Sequence, residues 1–366
     1  MCHFEVRCAA PRVQTGGVSA FPSVHRSARR TVALASIVAC IATGCASGGN
    51  EEAAEQAPET SESRATVARQ TGEPSTPAVE TEVTTTTTTT TTLPPGAGAT
   101  VSLIGSIRSV PTDPVVSGEG GSTADASNAV VASLACAQST GCESGELAVW
   151  AANEIDVLNL ATGRAALDGA TVLNEYTGAL LASGIATVGF GANLNEALAP
   201  AIVGSSESAI AIYGISLADD LTPSLIATNT SPGIAGGLDA IDLLVDEVEA
   251  SIEAGRTVVI VADFDQADDR SPSTSALDNV QTLADAGADV IVGHGSDFLQ
   301  RFERLDQTTV VFNLGNAVVE TDEALRRDTA ILRFSVAEDT TTTCLVPATG
   351  GPDGLSIDDP SSQDCQ

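Results

Sequence analysis

The sequence predicts a layered α/β protein, and two alternating kinds of segment indicate this fold class. From Thr100 onward, apolar runs of strand length recur without a polar face, which is typical of strands covered on both sides. Leu238–Gly255, between two such runs, has apolar residues at helical spacing and acidic residues on the opposite face. Because strands and helices alternate along the chain, we expect helices to pack on sheets in one layered domain.

Seven apolar segments are the predicted strands of this domain, which spans residues 100–338. They are Val101–Gly105, Ile155–Leu160, Ala186–Phe190, Ser208–Ser216, Thr257–Phe264, Ala288–His294 and Thr308–Asn316. The predicted helix has an apolar face made of Leu238, Ile241, Leu244, Val245, Val248 and Ile252, and Gly255 ends it. The tail, residues 339–366, is expected to be a loop held by a disulfide.

Residues 1–45 predict a signal peptide that ends in a lipid-attachment site. Arg26, Arg29 and Arg30 precede the apolar run Thr31–Gly44, which is too short to span a bilayer as a helix. The run ends in small residues before Cys45, which resembles the lipobox of bacterial lipoproteins. We therefore expect an extracytoplasmic protein whose Cys45 anchors it to the bacterial cell membrane. The alternative is an ordinary signal peptide or a buried cysteine.

Residues 46–99 predict a disordered tether rich in Glu, Thr and Pro. The segment includes nine consecutive threonines, Thr84 to Thr92. It cannot bury enough apolar surface to fold, so we expect it to hold the domain away from the membrane.

Four cysteines follow the predicted tether, and an even number of thiols in an oxidising compartment suggests disulfides. Short separation favours Cys136 with Cys142 and Cys344 with Cys365, although four cysteines allow three connectivities. A zinc site is less well supported, because neither pair has the usual C-x2-4-C spacing.

The charge of the chain argues against nucleic-acid binding. The formal net charge is −32, and all 16 basic residues are arginine. Such an acidic surface repels phosphate backbones, and it keeps an extracytoplasmic protein soluble.

Polar residues follow the predicted strands at the edge where α/β sheets carry their chemistry. Because the carboxyl ends of parallel strands meet there, we expect these residues to lie near one another. His294 is the only histidine after the predicted signal peptide. The candidate binding residues are Arg164, Asp263, Asp265, His294, Asp297 and Asn316.

Ser106 also follows a predicted strand. With His294 and an aspartate it could form a nucleophilic triad, but no G-x-S-x-G turn surrounds it. We therefore interpret Ser106 as a hydrogen-bonding residue at the end of a strand.

Three segments resemble, in the same order, the bacterial capsule-synthesis CapA family, also called poly-γ-glutamate capsule biosynthesis proteins. Val188–Val203 resembles its G-x-G-x-N-x-x-E-A-x-x-P segment, and Ala286–Glu303 resembles its A-G-A-D-V-V-V-G-H-H-P-H-V-L-Q-x-x-E. Val311–Val319 is similar to its Y-S-L-G-N-F-V-F. The resemblance covers about residues 100–336 and implies a sandwich similar to the metallophosphatase-like (αββα) fold.

The resemblance also implies a divalent-metal centre, and this sequence departs from the family at most of its ligands. Ser106 stands where the family has an aspartate after the first strand. Arg164 stands at the histidine of its N-N-H motif, and Asp263 at the histidine of H-W-G.

The family motif G-H-H-P-H is reduced here to a single histidine. Gly295 and Asp297 replace its second and third histidines and leave His294. A two-metal hydrolase needs several imidazole and carboxylate ligands, which one histidine cannot supply. Arg164 would also bring a fixed positive charge to the same edge, as a salt-bridge hub among the aspartates.

We therefore expect no cofactor, and a non-catalytic protein that binds or scaffolds a component of capsule or exopolymer metabolism. The expected partners are the membrane, through the lipid, and an envelope polymer or a capsule-machinery protein, with Arg164 meeting a carboxylate or phosphate. One alternative is that His294, Asp263 and Asp297 hold a single Mn²⁺, Mg²⁺ or Ca²⁺. The enzyme alternative is a metal-dependent hydrolase or polymer-processing enzyme. A third is a structural lipoprotein without a pocket ligand.

Overall fold

The computed structural model describes residues 98–110, 129–137, 142, 155–205, 208–219, 221–264, 270–320, 324–337 and 340–357, and the backbone of two short strands at Thr90–Thr91 and Val116–Ser117. The predicted signal peptide, the lipid-attachment residue Cys45 and most of the predicted tether lie outside the described residues. So do Asp265 and Cys365.

Strands are the most numerous elements of the described domain, and they are numbered in chain order. They are β1 (Thr90–Thr91), β2 (Ala99–Ile107), β3 (Val116–Ser117), β4 (Ala129–Leu134), β5 (Val157–Asn159), β6 (Ala186–Val188), β7 (Phe190–Gly191), β8 (Ala201–Val203), β9 (Ile210–Ser216), β10 (Gly233–Ile234), β11 (Thr257–Asp263), β12 (Val290–His294), β13 (Phe302–Leu305), β14 (Thr308–Val311), β15 (Asn316–Val318), β16 (Asp328–Ala337), β17 (Thr340–Gly351) and β18 (Gly354–Ile357).

The α-helices occupy the crossovers between parallel strands or follow strand ends. They are α1 (Gly163–Ala166), α2 (Gly169–Ala182), α3 (Leu194–Ala197), α4 (Leu238–Glu253) and α5 (Thr274–Asp285), and 3₁₀ turns lie at Pro223–Leu225 and Ala324–Arg326. Ser273 caps α5 by accepting a hydrogen bond from the Ala276 N–H at 3.1 Å, which satisfies one of the unpaired amides of the first turn.

Within the described residues, the strands form two large sheets and a small ribbon of β7 with β10. The first sheet has the order β1-β8-β9-β11-β12-β14-β13, and the second has the order β3-β18-β17-β15-β2-β4-β5-β6, with β16 between β17 and β2. β9, β11, β12 and β14 run parallel to one another, and so do β2, β4, β5 and β6. Parallel neighbours end at the same edge, and these edges form the site.

The two sheets pack face to face, with helices on the outside, which is the predicted αββα layering. Valine and leucine side chains from both sheets, such as Val259, Val292, Leu103 and Val131, form one buried cluster between them. α4 and α5 cover the outer face of the first sheet, and α2 covers that of the second. The sequence-based prediction of a layered α/β sandwich is confirmed.

The inward face of α4 differs at its end from the predicted one. Ile241, Leu244 and Val248 are buried as expected, but Ile252 is 41% exposed. Ser251 is buried instead, and its hydroxyl lies 2.7 Å from the Tyr213 hydroxyl. The helix buries Ser251 instead of Ile252 because its last turn faces the hydroxyl group of Tyr213 in β9 rather than an apolar side chain.

The expectation of a loop after Ala337 is wrong. Thr340–Gly351 forms β17, which pairs antiparallel with β16 over ten residues, and β18 follows it. β17 alternates exposed and buried residues at its carboxyl half instead of showing a continuous apolar run. Its five threonines suit a strand because their branched side chains fit a pleated surface.

The Cys136–Cys142 disulfide is present, as predicted, with a Cα–Cα distance of 6.0 Å. Cys344 in β17 is also disulfide-bonded, and its predicted partner Cys365 lies outside the described residues. No helix in the described part of the chain is long and apolar enough to cross a membrane.

Candidate functional site

A polar cleft opens where the carboxyl ends of the central strands of both sheets meet. With its open mouth included, its space is about 250 Å³. The residues that line it are Ser106, Arg108, Ala135, Thr162, Arg164, Asp263, Gly295, Ser296 and Asn316. The cleft therefore contains three of the predicted site residues, Arg164, Asp263 and Asn316.

Asp263 ends β11 and is held by contacts from α1 and from the neighbouring strand β9. Its side chain is buried, and Oδ2 accepts a hydrogen bond from the Gly163 N–H at 2.8 Å and lies 3.5 Å from Ser216 Oγ. Thr162 caps the following turn of α1 by accepting from the Ala165 N–H. These contacts stabilise a carboxylate in the wall of the cleft.

Ser106 and His294 contact each other although the sequence separates them widely. Ser106 Oγ lies 3.2 Å from His294 Nδ1, and both residues are buried. Burial lowers the pKa of His294 from 6.5 to about 3, because the charged imidazolium loses its hydration. His294 is therefore neutral at neutral pH. Its Nδ1 donates or accepts according to the tautomer.

Asp297 lies between two guanidinium groups. Arg108 forms an ion pair with one carboxylate oxygen and Arg326 with the other. The side chains of Arg108 and Arg326 are 14% and 26% exposed, and that of Asp297 is 8% exposed. The Asp297 carboxylate is thus neutralised by protein charges.

Sequence reasoning missed Arg108 and Arg326 and expected Arg164 to be the hub among the aspartates. That expectation is wrong at Asp297, where Arg108 and Arg326 hold this role. Arg164 is exposed at the rim, and it has no ion pair within the described residues. Arg108 follows β2 by one residue, a strand-end position that could have marked it as a candidate.

Asn316 begins β15 and is almost fully buried. Its Nδ2 donates to the Asp297 backbone carbonyl at 3.4 Å, whereas its Oδ1 has no hydrogen-bond partner among the described residues. A buried acceptor without a donor is costly, and Asn316 is one of the residues that line the cleft.

The described residues do not fit the two-metal centre that the fold family implies. No group of three or more His, Cys, Asp or Glu side chains placed to share a metal ion occurs among them, so His294, Asp263 and Asp297 are not gathered into such a set. Asp297 is engaged by two cations, and Arg108 and Arg164 line the cleft. Fixed positive charges at the edge oppose a metal cation there.

Residues 139–321 match the family described as Bacterial capsule synthesis protein PGA_cap. The Capsule biosynthesis protein CapA of Bacillus anthracis is 25% identical over 189 residues, which are 50% of this chain and 45% of that protein. The PGA biosynthesis protein CapA of Bacillus subtilis (strain 168) is 23% identical over 185 residues, which are 50% of this chain and 48% of that protein. The chain thus spans about half the length of these curated relatives.

Two solved structures from Thermus thermophilus are also similar to this chain. One is a hypothetical protein, with a TM-score of 0.40, and the other is TT1561, with a TM-score of 0.35. Each is 11% identical, and each match covers 68% of this chain and 99% of the solved one.

Proposed function

The chain belongs to the bacterial capsule synthesis protein family, and from this premise we propose that it is a membrane-anchored, extracytoplasmic lipoprotein that binds or scaffolds a polymer in capsule or exopolymer metabolism. The polymer is poly-γ-glutamate or a polysaccharide. In this proposal the protein is not catalytic, and the cleft binds a polar group of the polymer.

The observation that carries the proposal is the engagement of Asp297 by Arg108 and Arg326. A carboxylate that serves a hydrolytic metal must face the ion, whereas this one is paired with two guanidinium groups. Arginine therefore balances the charge of Asp297 beside the cleft, which supports a binding role.

Arg164 is the expected contact for an anionic group. Its guanidinium is at the rim, and it presents planar donors that match a carboxylate or phosphate. Replacing Arg164 with alanine is expected to weaken binding of a γ-linked glutamate oligomer by about tenfold. Arg304→Ala is the matched control, because it removes the same charge from an exposed residue of β13, at the edge of the first sheet.

Calorimetry on the full chain measures both variants against the unchanged protein. The binding role is contradicted if neither glutamate oligomers nor envelope polysaccharide fractions bind, or if Arg164→Ala binds all of them as tightly as Arg304→Ala does.

Metal analysis separates this proposal from the hydrolase alternative. After exposure of the full chain to Mn²⁺, Zn²⁺, Mg²⁺ and Ca²⁺, mass spectrometry is expected to find no retained metal. About one metal per chain, lost in an Asp263→Ala/His294→Ala variant, would instead support a metal-dependent enzyme.

The lipid anchor is tested at Cys45. In cells supplied with labelled fatty acid, we expect label on the unchanged protein and none on Cys45→Ser, which should leave the membrane fraction. Equal membrane retention and labelling of the two proteins would contradict the anchor.

A further inference from the structure

We propose that Arg270, stacked on the ring of Phe298 outside the cleft, is a second anion contact, which binds a further carboxylate of the polymer. The contact belongs to a cluster of three side chains, Arg270, Phe298 and Arg326, which we name the Phe298 cluster. This inference rests on the proposed function and narrows it, because a polymer that meets both Arg164 and the Phe298 cluster must carry more than one carboxylate.

Phe298 is the fixed centre of the cluster. It follows the end of β12, it is 6% exposed, and its N–H donates to the Ser296 hydroxyl at 3.1 Å. The guanidinium of Arg270 lies 4.1 Å from the ring centroid, and that of Arg326 lies 5.1 Å from it. Because the face of an aromatic ring attracts cations, the ring helps to hold both guanidinium groups in place.

Arg270 is the member of the cluster that a ligand can reach. Its side chain is exposed, and it has no ion pair within the described part of the chain, whereas Arg326 is paired with Asp297. A guanidinium that is already held on a ring loses less conformational freedom on binding, and its planar donors match a carboxylate. Arg270 therefore suits an anionic group that approaches from the solvent.

The charges around the ring favour an anion at this place. Two guanidinium groups beside one ring repel each other, and a nearby anion reduces that repulsion. Asp297 is such an anion for Arg326. Because the chain has a net charge of −32, an acidic polymer is repelled by most of its surface, so binding depends on the places where arginines gather.

The Phe298 cluster continues the edge on which the cleft opens. Arg326 contacts the ring of Phe298 and the carboxylate of Asp297. Asp297 also pairs with Arg108, and Arg108 lines the cleft together with Arg164. With its mouth included, the cleft has a space of about 250 Å³, below the range of about 300–1,000 Å³ found for ligand pockets. Most of a polymer must therefore bind outside the cleft, along this edge.

The alternative is that Arg270 pairs with an aspartate that precedes it in the sequence. Asp265, Asp268 and Asp269 lie outside the described residues. If Arg270 served only to pair with them, its removal would leave polymer binding unchanged, which the following experiment measures.

Calorimetry on the full chain compares two γ-linked glutamate decamers, one with free α-carboxylates and one in which these groups are carboxamides. We expect Arg270→Ala to weaken binding of the acidic decamer by about fivefold, because it removes one exposed charge-assisted contact. It should leave binding of the carboxamide decamer unchanged. Arg304→Ala is the matched control, which removes an exposed arginine of β13 and should change neither affinity.

The role of the ring is tested with Phe298→Leu, which keeps a buried apolar side chain but removes the aromatic face. Circular dichroism checks that the variant folds. It should weaken binding of the acidic decamer, and adding Arg270→Ala to it should weaken binding by less than about twofold further. A further loss as large as the one that Arg270→Ala causes alone would overturn the positioning role of the ring.

The outcomes distinguish this inference from the proposed function. If the acidic decamer binds and Arg164→Ala weakens it, but Arg270→Ala behaves like Arg304→Ala, the polymer-binding function stands and the second contact is wrong. If Arg270→Ala weakens both decamers equally, the contact is not with a carboxylate and the inference is wrong. It is also wrong if only polysaccharide fragments bind. If no glutamate oligomer or polysaccharide binds, both proposals fail.

Discussion

Replacing Asp297 with asparagine removes the negative charge between Arg108 and Arg326 and keeps the size of the side chain. Breaking a buried ion pair by removing one partner costs about 3–5 kcal/mol, because the remaining charge stays poorly hydrated. The two arginine side chains are 14% and 26% exposed, so water compensates part of this loss. We expect the lower end of the range, a loss of about 3 kcal/mol in the free energy of unfolding.

Urea unfolding followed by circular dichroism measures this loss, which corresponds to a midpoint shift of about 1 M for a slope of about 3 kcal/mol/M. The control is Glu303→Gln, which breaks the exposed pair of Glu303 with Arg301 at 3.3 Å and should cost less than about 1 kcal/mol. Arg326→Met should cost about 1 kcal/mol, because Arg108 still neutralises Asp297. The reasoning is refuted if Asp297→Asn costs no more than Glu303→Gln.

Three further predictions concern stability. Because the pKa of His294 is lowered from 6.5 to about 3, the unfolded chain takes up a proton below pH 6.5 that the folded chain does not. His294 therefore makes the free energy of unfolding fall by about 1.4 kcal/mol per pH unit as the pH decreases from about 6 toward 3. His294→Asn should flatten this part of a plot of urea midpoint against pH. An unchanged slope in the variant would contradict the prediction. Replacing both cysteines of the Cys136–Cys142 disulfide with serine should lower the free energy of unfolding by about 2 kcal/mol, because the unfolded chain gains loop entropy. An unchanged urea midpoint would contradict this prediction. Gly293→Ala should lower the free energy of unfolding by more than about 3 kcal/mol, because the added Cβ would collide with the Phe312 carbonyl oxygen. In Gly178→Ala the added Cβ meets open space, so this variant should stabilise helix α2 by up to about 1 kcal/mol. Equal urea midpoints for the two variants would refute the steric argument.

The arginines at Asp297 supply positive charge at this edge of the sandwich. Carboxylates that converge at strand ends repel one another unless a cation separates them. Here Arg108 and Arg326 supply that positive charge from the chain itself. The stability of the described domain should therefore be insensitive to chelators, which a urea titration with and without chelator measures.

Local sequence patterns were sufficient for most of the central strands. β9, β11 and β12 lie within the predicted strand segments because each is a continuous apolar run, which only a fully covered strand tolerates. β4 and β17 were missed. β4, at Ala129–Leu134, lies outside the seven predicted segments, and β17 shows alternation and threonine in place of an apolar run.

The candidate site was predicted only in part. Asp263 reaches the cleft because it ends β11, and the carboxyl ends of parallel strands converge. Asn316 reaches it from the start of β15 in the second sheet, rather than from the end of the predicted strand Thr308–Asn316. The pairing of Ser106 with His294, and of Asp297 with two arginines, depends on how the sheets are stacked and registered. Such contacts join residues far apart in the chain, and no local pattern encodes them.

The sequence by itself determined the αββα layering, the family and the shortage of imidazole ligands, because composition, periodicity and motif order are local properties of the chain. Only the tertiary structure decided which cations neutralise Asp297, that Arg164 remains at the rim, and that Asn316 Oδ1 is buried without a hydrogen-bond partner among the described residues. The physical reason is that charge pairing and hydrogen bonding are settled over a few ångströms, after the two sheets have packed.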